Sequence, residues 1–201
     1  MRCAPLVVLL VPLSASAKSA AKPKVIVLAP AQVVQHEPVH VTDEDAKQCA
    51  LSNDGRGLPR HATTTSKKGD AEVVFDCGAI PAGAELFVHR GKKWYSTPVG
   101  VIVDVETMSH ERTKLTLAHA DFTPGGVGHG KTGVLLQLDL EETSLDAAKT
   151  QMPKKQKRLV VCTFEDQPRC GRIDITGNGV DETAWMSAKG ISLGGELYTL
   201  Q

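Results

Sequence analysis

Apolar residues recur mainly at every second position, the spacing that puts side chains on one face of a strand. Val99, Val101, Val103 and Val105 alternate with Gly100, Ile102 and Asp104. Val134, Leu136, Leu138 and Leu140 form one face, with Gln137, Asp139 and Glu141 on the other. Shorter runs of this kind occupy residues 25–28, 33–41, 72–77, 85–89, 114–119, 159–164, 172–175 and 196–200. Turn residues such as Pro81-Ala82-Gly83 and Arg90-Gly91-Lys92 separate them. This spacing predicts an all-β fold, an antiparallel β-sandwich or a barrel-like sheet, in preference to a parallel α/β architecture.

Helix signals are few. Thr42 caps an expected short helix through Cys49, with Asp45 as a weaker form of the capping-box acid, and Ser144 starts a second through Lys149. Residues 50–68, rich in Ser, Thr, Gly and charge, read as a surface loop. The run Met152-Pro153-Lys154-Lys155-Gln156-Lys157-Arg158 opposes burial, so residues 150–158 read as a solvated basic linker. That divides the chain into a β-rich part, 18–149, and a C-terminal four-strand unit, 159–201, either separate or within the same domain.

The N-terminus changes the setting. Arg2, the apolar run Ala4 to Leu13 and the small residues Ser14-Ala15-Ser16-Ala17 have the layout of a secretory signal peptide, residues 1–17, cleaved after Ala17. The apolar run is half of the roughly 20 residues a spanning helix needs, so no integral membrane segment is expected after cleavage. A lipid anchor would need a cysteine where Lys18 stands. The mature protein is therefore expected to be exported, to a periplasm or beyond the cell.

Export makes sense of the cysteines, because Cys3 leaves with the leader and four remain. In an oxidising compartment Cys49, Cys77, Cys162 and Cys170 predict two disulfides. Spacing favours Cys49 with Cys77 and Cys162 with Cys170. Counted outward from Asp166, the second pair falls at directly opposite positions of a hairpin. A four-cysteine zinc site is disfavoured, since no C-x-x-C pair occurs. The charge balance, 23 basic against 23 acidic residues before Arg2 is removed, points to neither nucleic acid nor an anionic membrane as partner.

Two motifs match a catalytic or nucleotide pattern in letters only. Gly125-Gly126-Val127-Gly128-His129-Gly130-Lys131-Thr132 fits the phosphate-binding G-x-x-x-x-G-K-[ST] pattern, but a strand-like segment leaves it where a helix is required. It reads as a flexible glycine-rich loop between strands, with Gly125, His129 and Lys131 as weak ligand-contacting candidates. Gly190-Ile191-Ser192-Leu193-Gly194 fits G-x-S-x-G, yet only seven residues follow it and none is histidine. His36 and His40 flank Pro38, which opposes the helix that their spacing would need to share a metal. Trp94, Tyr95 and Trp185 read as core or edge packing.

One segment carries a metal reading. Asp174-Ile175-Thr176-Gly177-Asn178-Gly179-Val180-Asp181-Glu182 places oxygen-bearing side chains at its first, third, fifth, eighth and ninth positions, with glycines that let a short loop wrap around an ion. It resembles the D-x-[DN]-G-[DN]-G-x-x-[DE] calcium loop of FG-GAP and VCBS repeats, the integrin-like propeller units. That resemblance implies calcium held by the side chains of Asp174, Asn178 and Glu182 and the backbone carbonyl of Val180, with Thr176 in the place of a usual carboxylate or amide. The family's propellers need several such units and this chain has one. The other reading is that Asn178-Gly179 is a tight hairpin turn. The residues together predict an exported, non-catalytic β-rich binding or envelope-associated protein, with an exported hydrolase as the alternative.

Overall fold

The alternating runs become strands in the computed structural model, which describes residues 23–35, 61–66, 69–76, 82–103, 113–144 and 152–201. In chain order these are β1 (Lys24–Ile26), β2 (Ala29–Pro30), β3 (Gln32–Val34), β4 (His61–Ser66), β5 (Gly69–Asp76), β6 (Ala82–Arg90) and β7 (Lys93–Val103). They continue with β8 (Thr113–Gly128), β9 (Lys131–Ser144), β10 (Lys154–Thr163), β11 (Arg169–Thr176), β12 (Trp185–Ser187), β13 (Gly190–Leu193) and β14 (Glu196–Leu200). No helix occurs among the described residues: the helix expected at 42–49 lies outside them, and Ser144 ends β9 where a helix was expected to start. The expected leader and the Cys49–Cys77 bridge also lie outside the described residues.

The strands form three sheets, in the orders β1-β14-β13-β12, β2-β11-β10-β9-β8 and β3-β7-β6-β5-β4. None closes into a barrel, and every pairing is antiparallel except β1 with β14. The β8-to-β11 sheet is central. Its even-numbered residues Val134, Leu136, Leu138, Leu140, Val160 and Cys162 pack with Val73, Leu86, Val88 and Val99 of the β3-to-β7 sheet. Its odd-numbered Leu135, Leu159, Val161 and Ile175 pack with Ile26, Ile191, Leu193 and Tyr198 of the third sheet. The molecule is thus a three-layer β stack with two apolar interiors.

The polar residues Gln137, Asp139 and Glu141 on the second face of β9 do not place that face in solvent. Leu135 and Gln137 are buried there, and Gln137 Oε1 accepts the Ala184 amide at 2.6 Å, so a polar residue survives inside because its oxygen is satisfied. The supposed basic linker is corrected. Lys154 to Arg158 form the first half of β10, and Lys157 is 1% exposed while Arg158 is 9% exposed, both with acidic partners. Residues 159–200 supply five strands divided between two sheets, β10 and β11 pairing onward to β9.

Local chemistry explains the connections. β8 and β9 join through His129-Gly130, both at positive φ (50° and 70°), a two-residue hairpin turn that needs the left-handed region twice. Gly125 to Gly128, expected as loop, therefore extend β8. At Gly133 any side chain would run into the Cys162 carbonyl of the neighbouring strand, so glycine lets β9 and β10 approach. Cys162 and Cys170 face each other in register and are bonded, as the hairpin count predicts. In the chain-entropy account, closing so short a loop stabilises the fold by about 2.5 kcal/mol.

One short stretch touches every layer. β1, β2 and β3 are consecutive, and each adds an edge strand to a different sheet, beside β14, β11 and β7. Ile26 and Leu28 enter one interior and Ala31 the other. Gly171 admits the strap, since a Cβ there would lie 2.6 Å from the Val27 carbonyl oxygen. Arg169 Nη2 donates to the Leu28 carbonyl at 2.6 Å.

Candidate functional site

The odd-numbered face of the central sheet ends in charge. β9 contributes Asp139 and Glu141, and β10 places Lys157 opposite Asp139 and Lys155 opposite Glu141. The loop leaving β11 brings Val180 and Asp181 over this lattice. Asp139, Glu141, Lys155, Val180 and Asp181, with Leu140 and Gln156, border a recess of about 160 Å³, and Lys157 lies buried beneath it. Lys157 Nζ contacts Asp139 Oδ1, and Lys155 Nζ lies 2.6 Å from Asp181 Oδ1. The Asp181 carboxylate holds the Lys155 ammonium above its ordinary lysine value. Coupled in this way, the recess is a set of ion pairs more than an open field of one sign.

The opposite, even-numbered face carries arginines that reach across to the neighbouring sheet. Arg158 is gripped by Asp174 through Nε at 2.7 Å and Nη2 at 3.2 Å, while its Nη1 donates to the Val101 carbonyl at 2.6 Å. Arg172 Nη1 donates to the Val99 carbonyl at 3.1 Å. These acceptors exist because β3 pairs with β7 only from Trp94 to Ser96, and a register shift beyond it leaves later carbonyls aimed at the arginines. Gly100, at φ 95°, makes room: a Cβ there would lie 2.6 Å from Arg172 Nη1. Similar stitches hold the β10–β11 turn, where Arg90 Nε donates to the Glu165 carbonyl and Tyr95 Oη to that of Asp166.

The expected calcium set does not converge. Asp174 is on the even-numbered face of β11 and both its oxygens are taken by Arg158, whereas Val180 borders the recess on the opposite face. Thr176 is the exposed end of β11, and Asn178 and Glu182 belong to a turn closed by Val180 N to Gly177 O and Glu182 N to Gly179 O. Gly177 and Gly179 both have positive φ, but Asn178 does not and β11 does not pair with β12, so this is a tight turn and not the hairpin expected at Asn178-Gly179. No cluster of three His, Cys, Asp or Glu side chains able to hold a metal occurs among the described residues. Of the expected donors, Asp174 is therefore already committed to the Arg158 cation.

The remaining motifs resolve as structure. In the phosphate-like segment Gly125 packs on Met186, His129 is exposed at the hairpin tip, and the Lys131 ammonium is 2.9 Å from Glu165. Strand enters and strand leaves, so no helix N-terminus faces this loop. Ser192 lies within β13, between Trp185 and Leu197 on the neighbouring strands, and the turn that follows is Gly194-Gly195. Trp185 is 69% exposed on the edge strand β12.

The Lys131 contact gives a pH signature. Its hydrogen bond to Glu165, helped by Thr163 and opposed by burial, holds that carboxyl below the usual 4.5. A carboxyl lowered by folding adds stability above its unfolded value, and that stability is lost as pH falls through the folded value. Lys131→Ala is therefore expected to have a shallower loss of stability below about pH 4.5 than the parent, read as chemical-denaturation midpoints across an acid series. Parallel acid limbs would count against it.

Sequence reasoning missed the Lys157–Asp139 pair because a lone lysine in a basic run reads as solvated. The available signal was its place two residues before Leu159-Val160-Val161-Cys162, a continuous apolar run of the kind found in a strand covered on both faces. Compared with known protein families, curated proteins and solved structures, the chain matches none.

Proposed function

We propose that this chain is an exported, non-catalytic β-rich module that serves as a binding or envelope-associated component and carries its own cations where a calcium loop would hold a metal. The observation that supports this most is the internal pairing at the recess, where Lys155 meets Asp181. A catalytic recess keeps an acid, base or nucleophile poised toward a substrate, and these groups are instead spent on one another. The bonded Cys162–Cys170 pair accords with an oxidising compartment.

Produced with its native N-terminus in a bacterium with an oxidising periplasm, the protein is expected in the periplasmic extract, beginning at Lys18, with Cys162 and Cys170 oxidised. Calorimetric titration of that material with calcium is expected to give no saturable heat. Recovery from the cytoplasm with Met1 attached would end the export reading; a saturable calcium heat would end the built-in-cation reading.

A further inference from the structure

We propose that Lys157 and Asp139 close into an intramolecular amide, a covalent rung between the two central strands. Lys157 is the most deeply buried charged side chain among the described residues. Its register partner on β9 is Asp139, and Nζ touches Asp139 Oδ1. Its register partner on β11 is Ile175, and Leu159 follows two residues along on the same face, both buried. The amine is thus pressed between an apolar wall and one carboxylate.

An ammonium has three donors and Asp139 accepts one of them. A buried ammonium secured by a single contact to a partly exposed carboxylate keeps much of its desolvation penalty. Condensation removes both charges together. The Nζ–Cγ bond forms, a Cγ–Oδ bond breaks, and two of the three Nζ protons leave with that oxygen as water. Charge and atoms balance with no oxidant or other reactant. The recess gives the water a way out, since Asp139 keeps a third of its side chain exposed while Lys157 does not. Above them the β11–β12 loop is pinned by the Ala184 amide on Gln137 and by Asp181 on Lys155.

The test is intact mass measurement of the folded full-length mature protein after denaturation and thiol reduction. The expected mass is one water below that of the sequence, with a protease-resistant branched peptide joining Lys157 to Asp139. Lys157→Arg keeps a cation opposite Asp139 and is expected to fold, shown by an unchanged near-ultraviolet spectrum, at the full sequence mass. Full sequence mass in folded wild-type protein overturns the proposal. So does a water loss that mapping places elsewhere, such as Asp54-Gly55. Export and calcium enter none of these readouts, so failure here is separate from failure of the proposed function.

Discussion

Arg158→Ala is expected to lower the unfolding free energy by about 2 kcal/mol, because a hydrogen bond to the next sheet and buried stem packing are lost while Asp174, 43% exposed, is rehydrated. Two groups lose their partner at once. Asp174 gives up a two-point grip from Nε and Nη2, and the Val101 carbonyl gives up its donor. The cavity between the central sheet and β7 adds lost packing from the arginine stem. Arg158→Lys separates charge from geometry, because an ammonium cannot serve both Asp174 oxygens and a carbonyl of the next sheet in one fork. It should recover only part of the loss. Urea denaturation followed by tryptophan fluorescence checks both variants, and a midpoint for Arg158→Ala equal to the parent's would remove the arginine stitch from the account of stability.

In the other interior, Tyr198→Ala is expected to cost about 3 to 5 kcal/mol, the usual penalty for truncating a buried large aromatic residue. Tyr198 is 1% exposed and is among the largest fully buried side chains. It sits on β14 between Ile191 of β13 and Lys24 of β1, so its loss loosens an edge strand together with the core. Its hydroxyl donates to Glu196 at 2.9 Å near the surface. Tyr198→Phe should therefore cost only about 1 kcal/mol, the net worth of one hydrogen bond. Equal losses for the two variants would place the energy in the hydroxyl and not in the ring.

Strand periodicity carried the fold class. Val134, Leu136, Leu138 and Leu140 do share one apolar interior, and the hairpin count around Asp166 brought Cys162 and Cys170 face to face. Layer number was not legible from alternation, because Gln137, Asp139 and Lys157 carry polar letters at inward positions. A polar side chain can be buried once a specific partner meets it, and those partners, the Ala184 amide and the facing strand, are set by tertiary pairing. The same limit explains the calcium expectation. Spacing within nine residues says nothing of Arg158, which the β10–β11 register puts opposite Asp174. The glycine-rich segment was misjudged for another reason. Glycine is enriched in loops, yet here Gly125 and Gly128 serve close approach to Met186 and Gly190 inside strand structure.

The strap from Lys24 to Val34 bears on how the molecule melts. A stack of three independent sheets would come apart layer by layer, each with its own transition. Because one continuous stretch supplies the border strand of all three, freeing it bares unpaired backbone on every layer in a single event. Thermal unfolding should then be all-or-none despite the two separate interiors, with protection from amide exchange lost on the three sheets together.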